Sequence, residues 1–237
     1  MRAERRLAIM QPYFFPYLGY FQLMAEVDAF VIFDDVNFIN RGWINRNRIN
    51  INGAPHLITV PLKQASQNKL ICEISVNNDL LWRDKLLKTI RQAYSRAPQF
   101  ARVFPLVERI VRHPAANLAD YLRHGLVNLR DFLGLGTEII GSSRRYENSN
   151  LTAQSRIVDI CLREHIGIYV NAIGGRELYE NAAFELAGVK LQFLQPALPL
   201  YDQSGAEFMP GLSIIDVLMC NDDRTVANML KSGRCDD

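Results

Sequence analysis

Two short apolar runs near the amino terminus, Leu7-Ala8-Ile9-Met10 and Ala29-Phe30-Val31-Ile32-Phe33, have the continuous hydrophobic pattern of strands buried on both faces. Between them the pattern through Ala25 changes to helical spacing. Two apolar strands joined by a short helix form the unit of a parallel sheet, and ligands of such sheets gather where the strands end. Polar and aromatic residues follow both runs, Gln11 to Tyr20 after the first and Asp34-Asp35 after the second.

Further along, Gly53-Ala54-Pro55 marks a turn, and His56 to Leu62 reads as a strand with Pro61 near a sheet edge. Cys72, Ile74 and Val76 alternate with Glu73 and Ser75 as in a half-buried strand. From Leu80 onward apolar positions return at helical spacing: Trp82, Leu86, Ile90 and Tyr94, then Phe100, Val103, Phe104, Val107 and Ile110. Pro98 suits a helix start, and Pro105 is expected to kink or restart that helix. A third helix with Leu118, Tyr121, Leu122, Leu129 and Phe132 stops at Gly134-Leu135-Gly136. The sheet pattern resumes at Thr137 to Ile140, at Ile166 to Ile173 and at Val189 to Phe193, with a helix after a Thr152 cap. A final helix covers Ile214 to Met219. These elements predict an α/β fold with a mainly parallel, Rossmann-like (nucleotidyltransferase-like) sheet. The predicted organisation is one domain over residues 1–221, a helical section at about 79–134, and a loosely held polar tail at 222–237.

Composition narrows the class. With 237 residues, 49% hydrophobic and 22% charged, the chain buries a sizeable core and does not read as disordered. A net charge of +2 gives no global bias toward nucleic acid or anionic membrane, so anion binding must come from local clusters. Cys72, Cys161, Cys220 and Cys235 are far apart, without metal-ligand spacing, which fits reduced thiols in a cytoplasmic protein. Arg2, Arg5 and Arg6 mimic a signal peptide, but Gln11, Pro12 and Pro16 break the apolar run that follows. No stretch reaches the length of a membrane span.

Four segments carry candidate chemistry. In the turn after the first strand, Gln11, Tyr13 and Tyr20 are candidate ligand contacts, and Gly19 permits close approach at a helix start whose amides favour phosphate or carboxylate; the same aromatics also suit a simple cover for the sheet. Asp34 and Asp35 suit a ribose hydroxyl, a magnesium ion or the role of base, and equally a solvated turn. In Arg41 to Arg48, guanidinium groups interleave with Asn and Trp43. Alternation sends Asn45 and Asn47 to one face and Arg46 and Arg48 to the other, with Asn45 and Arg46 favoured as contacts. Asn171 with Gly174, Gly175 and nearby Tyr179 forms a strand-to-helix turn that fits either an anion cradle or a tight turn. Ser213-x-x-Asp216 reads as a capping box. The four histidines show no metal-like spacing, so no metal ligand set is expected from the protein.

Taken together, Gln11-Pro12-Tyr13-Phe14-Phe15-Pro16-Tyr17-Leu18-Gly19-Tyr20, Asp28 with Asp34-Asp35, Trp43 with Asn45 to Arg48, Tyr169 to Gly175 with Leu178-Tyr179, and Leu212 to Asp216 with Leu218 resemble the WbqC-like family. The likeness spans nearly the whole chain and implies a place in bacterial surface-polysaccharide (O-antigen) biosynthesis. Tyr17-Leu18-Gly19-Tyr20 also stands where nucleotidyltransferases and pantothenate synthetase carry a His-x-Gly-His motif, with Tyr at both His positions. Tyr is a neutral donor near pH 7, so this likeness implies a nucleotide or activated-acyl pocket more than nucleotidyl transfer itself.

The expectation is a transferase acting on a nucleotide-activated sugar or related phosphorylated intermediate. In that reading Gln11, Tyr13, Gly19 and Tyr20 bind the donor, and Arg46 with Gly174-Gly175 holds phosphate. Asp34 or Asp35 serves as base, or meets a magnesium ion that accompanies the nucleotide. The rival is a non-catalytic nucleotide or sugar sensor that uses the same crevice to regulate a partner. Both need Gln11, Arg46 and Gly175 near one hollow at the carboxyl edge of the sheet. No nucleic acid is expected as partner, and oligomeric state is left open.

Overall fold

The structure, a computed structural model, describes residues 4–77, 79–203 and 207–236. In chain order it contains β1 (Arg6–Met10), α1 (Leu18–Ala25), β2 (Ala29–Ile32), β3 (Arg46–Ile51), β4 (Ala54–Thr59), β5 (Leu62–Lys63), β6 (Ser75–Val76), α2 (Leu80–Tyr94), α3 (Phe100–Val111) and α4 (Leu118–Phe132). There follow β7 (Glu138–Ile140), α5 (Ala153–Arg163), β8 (Ile168–Ala172), α6 (Asn181–Leu186), β9 (Lys190–Gln195), α7 (Ile214–Cys220), α8 (Asp223–Leu230) and β10 (Arg234–Asp236).

Six strands form one sheet in the order β10-β9-β8-β1-β2-β7. The five strands from β9 to β7 in that order are parallel, and β10 joins the β9 edge antiparallel. The chain thus starts at the centre, fills one side through β2 and β7, and returns to the other side of β1 with β8 and β9. At that reversal the ladder between β1 and β8 holds at Arg6–Ile168 and Leu7–Tyr169, although each strand runs three residues further. β1 and β2, by contrast, pair through Met10–Ile32. Crevices at such reversals are where open α/β sheets take ligands.

The continuous apolar runs are explained by cover on both faces. Leu7, Ile9, Ala29, Val31, Tyr169, Leu191 and Phe193 point into a core shared with α5 and α6. Ala8, Phe30, Ile32, Val170 and Leu194 alternate with them and enter a larger core that includes α1 to α4, α7 and α8. The three helices between Asp79 and Gly134 therefore share the sheet's own core. The hairpin of β3 and β4 turns at Asn52-Gly53, both at positive φ (51° and 79°), as a tight two-residue turn requires.

Four local expectations change. α3 continues through Pro105 as one helix, so it does not restart there. The expected strand at Cys72 to Val76 is a 3-10 turn, Ile71–Glu73, followed by the two-residue β6. Ser213 does cap α7 by accepting from the Ile215 amide (3.2 Å), but the Asp216 carboxylate turns elsewhere, as described below, and no capping box closes. The segment expected to be a loosely held tail folds as α8 and β10: Asp222 accepts from the Thr225 amide (2.8 Å), and Val226, Met229 and Leu230 are buried. Its polar look came from a narrow apolar stripe on a short amphipathic helix.

That last difference is testable. A chain ending at Asn221 loses the burial of these three side chains, worth about 1.5–3 kcal/mol each, and its melting temperature is expected to fall by at least about 10 °C. A thermal melt unchanged by the truncation would contradict this packing.

Candidate functional site

The loop after β1 is built from two prolines and an aromatic run, so few backbone conformations remain open to it. Phe14 and Phe15 are buried, and Phe15 sits at φ 44°, a left-handed conformation that an aromatic residue adopts only when its surroundings enforce it. The enforcing contacts are explicit. Asn47 Nδ2 donates to the carbonyls of Phe14 (3.3 Å) and Phe15 (2.7 Å), Ser213 Oγ donates to Phe15 O (3.0 Å), and the Phe14 amide donates to Ile44 O (3.0 Å). Ser213 N in turn donates to Arg48 O (2.8 Å). Three segments distant in sequence are joined here.

The clamp leaves a cavity of about 230 Å³ lined by Tyr13, Pro16, Tyr17, Trp43, Arg48 and Gly211, together with the clamping Asn47. The Arg48 guanidinium lies 5.2 Å from the Trp43 ring centre, and its Nε is buried without a hydrogen-bond partner. Burial pushes the phenols of Tyr13 and Tyr17 above their ordinary range, so both stay neutral donors.

Asp34 and Asp35 follow β2 at the same carboxyl edge. Asp35 is paired with Arg156, both side chains being less than a tenth exposed, and it also accepts from Ser143 Oγ. Arg156 is itself placed by Asn148 Oδ1 (2.9 Å) and by the Asp35 carbonyl (3.3 Å). Asp34 is 4% exposed and receives neutral donors: Ser142 Oγ at 2.8 and 3.0 Å to its two oxygens, and the Ser143 amide at 3.2 Å. Burial raises the Asp34 carboxyl above the usual range, opposed by the Ser142 hydrogen bond. With Arg156 in place, the two acids do not make a magnesium ligand set. Among the described residues no group of three or more His, Cys, Asp or Glu is placed to hold a metal ion.

After β8, the Asn171 amide packs on the Gly175 backbone so closely that a Cβ there would lie 2.5 Å from Nδ2. Tyr179 OH stands 3.4 Å from Tyr169 OH, and Gly174 is exposed. By topology this turn lies at the same sheet edge as Gln11 and Asp34, but none of Asn171, Gly174, Gly175 or Tyr179 lines the aromatic cavity.

Placement differs from expectation for several residues. Tyr20 is 2% exposed and its hydroxyl donates to Gln11 O (3.0 Å), so it holds the loop from inside the core. The start of α1 is covered by the Tyr17 ring, which lies where a Gly19 Cβ would be 2.5 Å away. Asn45 donates to Val60 O (2.9 Å), and Arg46 turns back onto the carbonyls of Gly42 (2.9 Å) and Arg41, so neither lines the cavity. Arg48, two residues on, takes the cavity position. Ser142, Ser143 and Arg156 were not singled out from the sequence. The signals were there: two hydroxyls directly after a strand, and an arginine on the same helix face as Ile160.

An open, mainly parallel sheet covered by helices on both faces, with polar clusters at its carboxyl edge and an aromatic cavity beside the loop after the first strand, defines an α/β protein. The chain belongs to the WbqC-like protein family, whose model matches residues 11–228. It is 26% identical over 216 residues to the "Uncharacterized protein Rv1507c" of Mycobacterium tuberculosis, covering 90% of this chain and 93% of that one. No solved structure matches the chain. No helix is long and apolar enough to cross a membrane among the described residues.

Two outcomes follow from the acid pair. Arg156→Ala leaves a buried carboxylate unpaired and is expected to cost about 3–5 kcal/mol, read from urea unfolding, whereas Arg156→Met with Asp35→Leu recovers most of that loss. The folded chain holds the Asp34 proton to higher pH than the unfolded chain does. Stability therefore falls as pH rises from the ordinary Asp value of 3.8 through the raised one. Asp34→Asn is expected to flatten that slope; an unchanged slope in urea melts across the range would refute the assignment.

Proposed function

We propose that the protein is a transferase that binds a nucleotide-activated sugar, or a related phosphorylated intermediate, in bacterial surface-polysaccharide assembly. On this reading it works in the cytoplasm, on a Rossmann-like sheet. The observation that carries it is the cavity of Tyr13, Tyr17, Trp43 and Arg48. Aromatic faces stack on a base or on the apolar face of a sugar ring. An arginine in the cavity wall suits a phosphate oxygen, because the guanidinium fork matches that geometry. At about 230 Å³ the cavity is smaller than the roughly 300–1,000 Å³ of typical whole-ligand sites. It therefore suits one base or sugar unit, with the remainder of the donor running toward the sheet edge.

Of the two carboxylates, Asp34 is the better base. Asp35 is neutralised by Arg156, whereas Asp34 meets only neutral donors and has a raised affinity for a proton. Gln11, Asn171 and the Gly174-Gly175 turn stand at neighbouring strand ends and suit the phosphate or ribose portion. The donor's own phosphates would carry any magnesium, since the acid pair does not supply a site.

The sensor reading keeps one supporting observation: Asp34 is almost wholly buried, which suits a structural acid. Calorimetric titration with nucleotides and nucleotide sugars separates the two readings when product is assayed in parallel. A transferase binds a donor with an affinity that Arg48→Ala and Tyr17→Ala weaken at least about tenfold, and it forms product that Asp34→Asn abolishes while the fold persists. Binding with no product across acceptors makes it a sensor. Binding unaffected by either cavity variant sinks the proposal.

A further inference from the structure

A second and larger hollow, about 810 Å³, lies between the β3–β4 turn, the end of α2 and the start of the chain's return into α7. We infer that it is a binding site for a neutral, polyhydroxylated ligand of the saccharide class. Its floor is a locked polar network. Asn50, Tyr94, Gln203 and Asp216 are all less than a tenth exposed. Tyr94 OH donates to one Asp216 oxygen (2.6 Å), while Tyr201 OH (2.7 Å) and Gln203 Nε2 (2.9 Å) donate to the other. The Asn50 amide donates to Tyr94 OH (3.1 Å), and its side-chain nitrogen donates to Gln203 O (3.2 Å). Every donor to this buried carboxylate is neutral.

An apolar floor would close the same space without the desolvation cost of a buried acid. A fully satisfied polar network instead fixes its members in one arrangement, which is what recognition of a polar ligand needs. Above the floor, Asn52, Gln92, Arg96 and Glu207 are exposed, and among the described residues their side chains have no hydrogen-bond or ion-pair partner. Arg96 and Glu207 offset one another at the rim, and the Asp216 carboxylate below is taken up by its three donors, so the exposed groups favour neither a polyanion nor a cation. Amide, guanidinium and carboxylate groups are planar and two-pronged, and each matches a pair of vicinal hydroxyls. Cys220 borders the hollow, but burial and the nearby Asp216 push its thiol up to about 12, so it stays protonated and the site binds without covalent capture.

The hollow borders the same strand as the aromatic cavity. Arg48 lines the cavity and Asn50 lines the hollow, two residues apart on the same side of β3, roughly 7 Å along the strand. If the transferase reading holds, the saccharide here is the acceptor; the binding itself does not depend on that reading.

Ligand-observed NMR and calorimetry with N-acetylglucosamine, galactose, rhamnose and lactose test the inference, with glucose 1-phosphate and glucosamine as charged controls. At least one neutral saccharide is expected to bind saturably. Arg96→Ala combined with Glu207→Gln is expected to weaken it about tenfold or more at an unchanged melting temperature, since both side chains are free and exposed. Trp43→Ala, in the other cavity, is expected to leave that affinity within about twofold. The inference is overturned by absence of saturable binding up to about 50 mM saccharide, by binding indifferent to the rim variants, or by tighter binding of a charged control. A saccharide that binds while no nucleotide sugar does leaves this site standing and removes the donor proposal.

Discussion

Two backbone carbonyls, those of Phe14 and Phe15, hold the functional half of this molecule together. They accept from one asparagine on β3 and one serine at the cap of α7, so three segments from opposite ends of the chain close on one point. Asn47 is 4% exposed and Ser213 0%, and either carbonyl left without its partner would cost about 1–3 kcal/mol. The left-handed Phe15 adds strain of about the same size. That conformation persists because the surroundings over-determine it. Its consequence is geometric: with Phe14 and Phe15 turned into the core, Tyr13 and Tyr17 are left facing Trp43 and Arg48. Gly19 completes the arrangement, because any side chain there would collide with the Tyr17 ring.

The buried acids show how environment divides chemistry among like groups. Asp35 is held by a cation, Asp34 by serine hydroxyls and an amide, Asp216 by two phenols and an amide. A paired carboxylate is a poor base because the guanidinium favours its charged form. Burial away from any cation gives Asp34 a stronger hold on a proton, which the Ser142 hydrogen bond only partly offsets. The Tyr94 and Tyr201 hydroxyls beside Asp216 are held well above the ordinary phenol range, by burial and by the adjacent carboxylate, so they remain donors. Asp216 gathers the donors around it into one network, and Asp34 is the acid whose carboxyl burial raises.

Much of the fold was legible because the strands of a doubly covered sheet are continuous apolar runs and the helices between them keep their period. Strand ends were legible too, which is why Gln11, Asp34 and Asn171 came forward. Other features depend on contacts that spacing along the chain does not encode. Alternation separated the arginines of β3 from its asparagines, but which arginine reaches a cavity depends on Arg41, whose left-handed backbone aims its carbonyl at Arg46 and leaves Arg48 free. The Ser142 and Ser143 contacts with Asp34 span more than a hundred residues, as does the Tyr94 contact with Asp216. Ser213 to Asp216 reads locally as a capping box, but Tyr94, Tyr201 and Gln203 engage the Asp216 carboxylate and the Ser213 amide donates to Arg48 O, so the box does not close. The final helix was missed because a stripe of three apolar residues over eight positions looks polar in composition.

The pairing of two unlike cavities along one strand bears on what kind of protein this is. A sensor needs one pocket whose occupancy biases a movable element. Group transfer needs two ligands held side by side with their reacting atoms in near contact, because much of its rate advantage comes from orientation already in place. Here a small aromatic cavity walled by Trp43 and Arg48 and a larger polar hollow both border β3, through Arg48 in the one and Asn50 in the other. One space is enough for a sensor, whereas the proposed transfer would use both, one for each ligand.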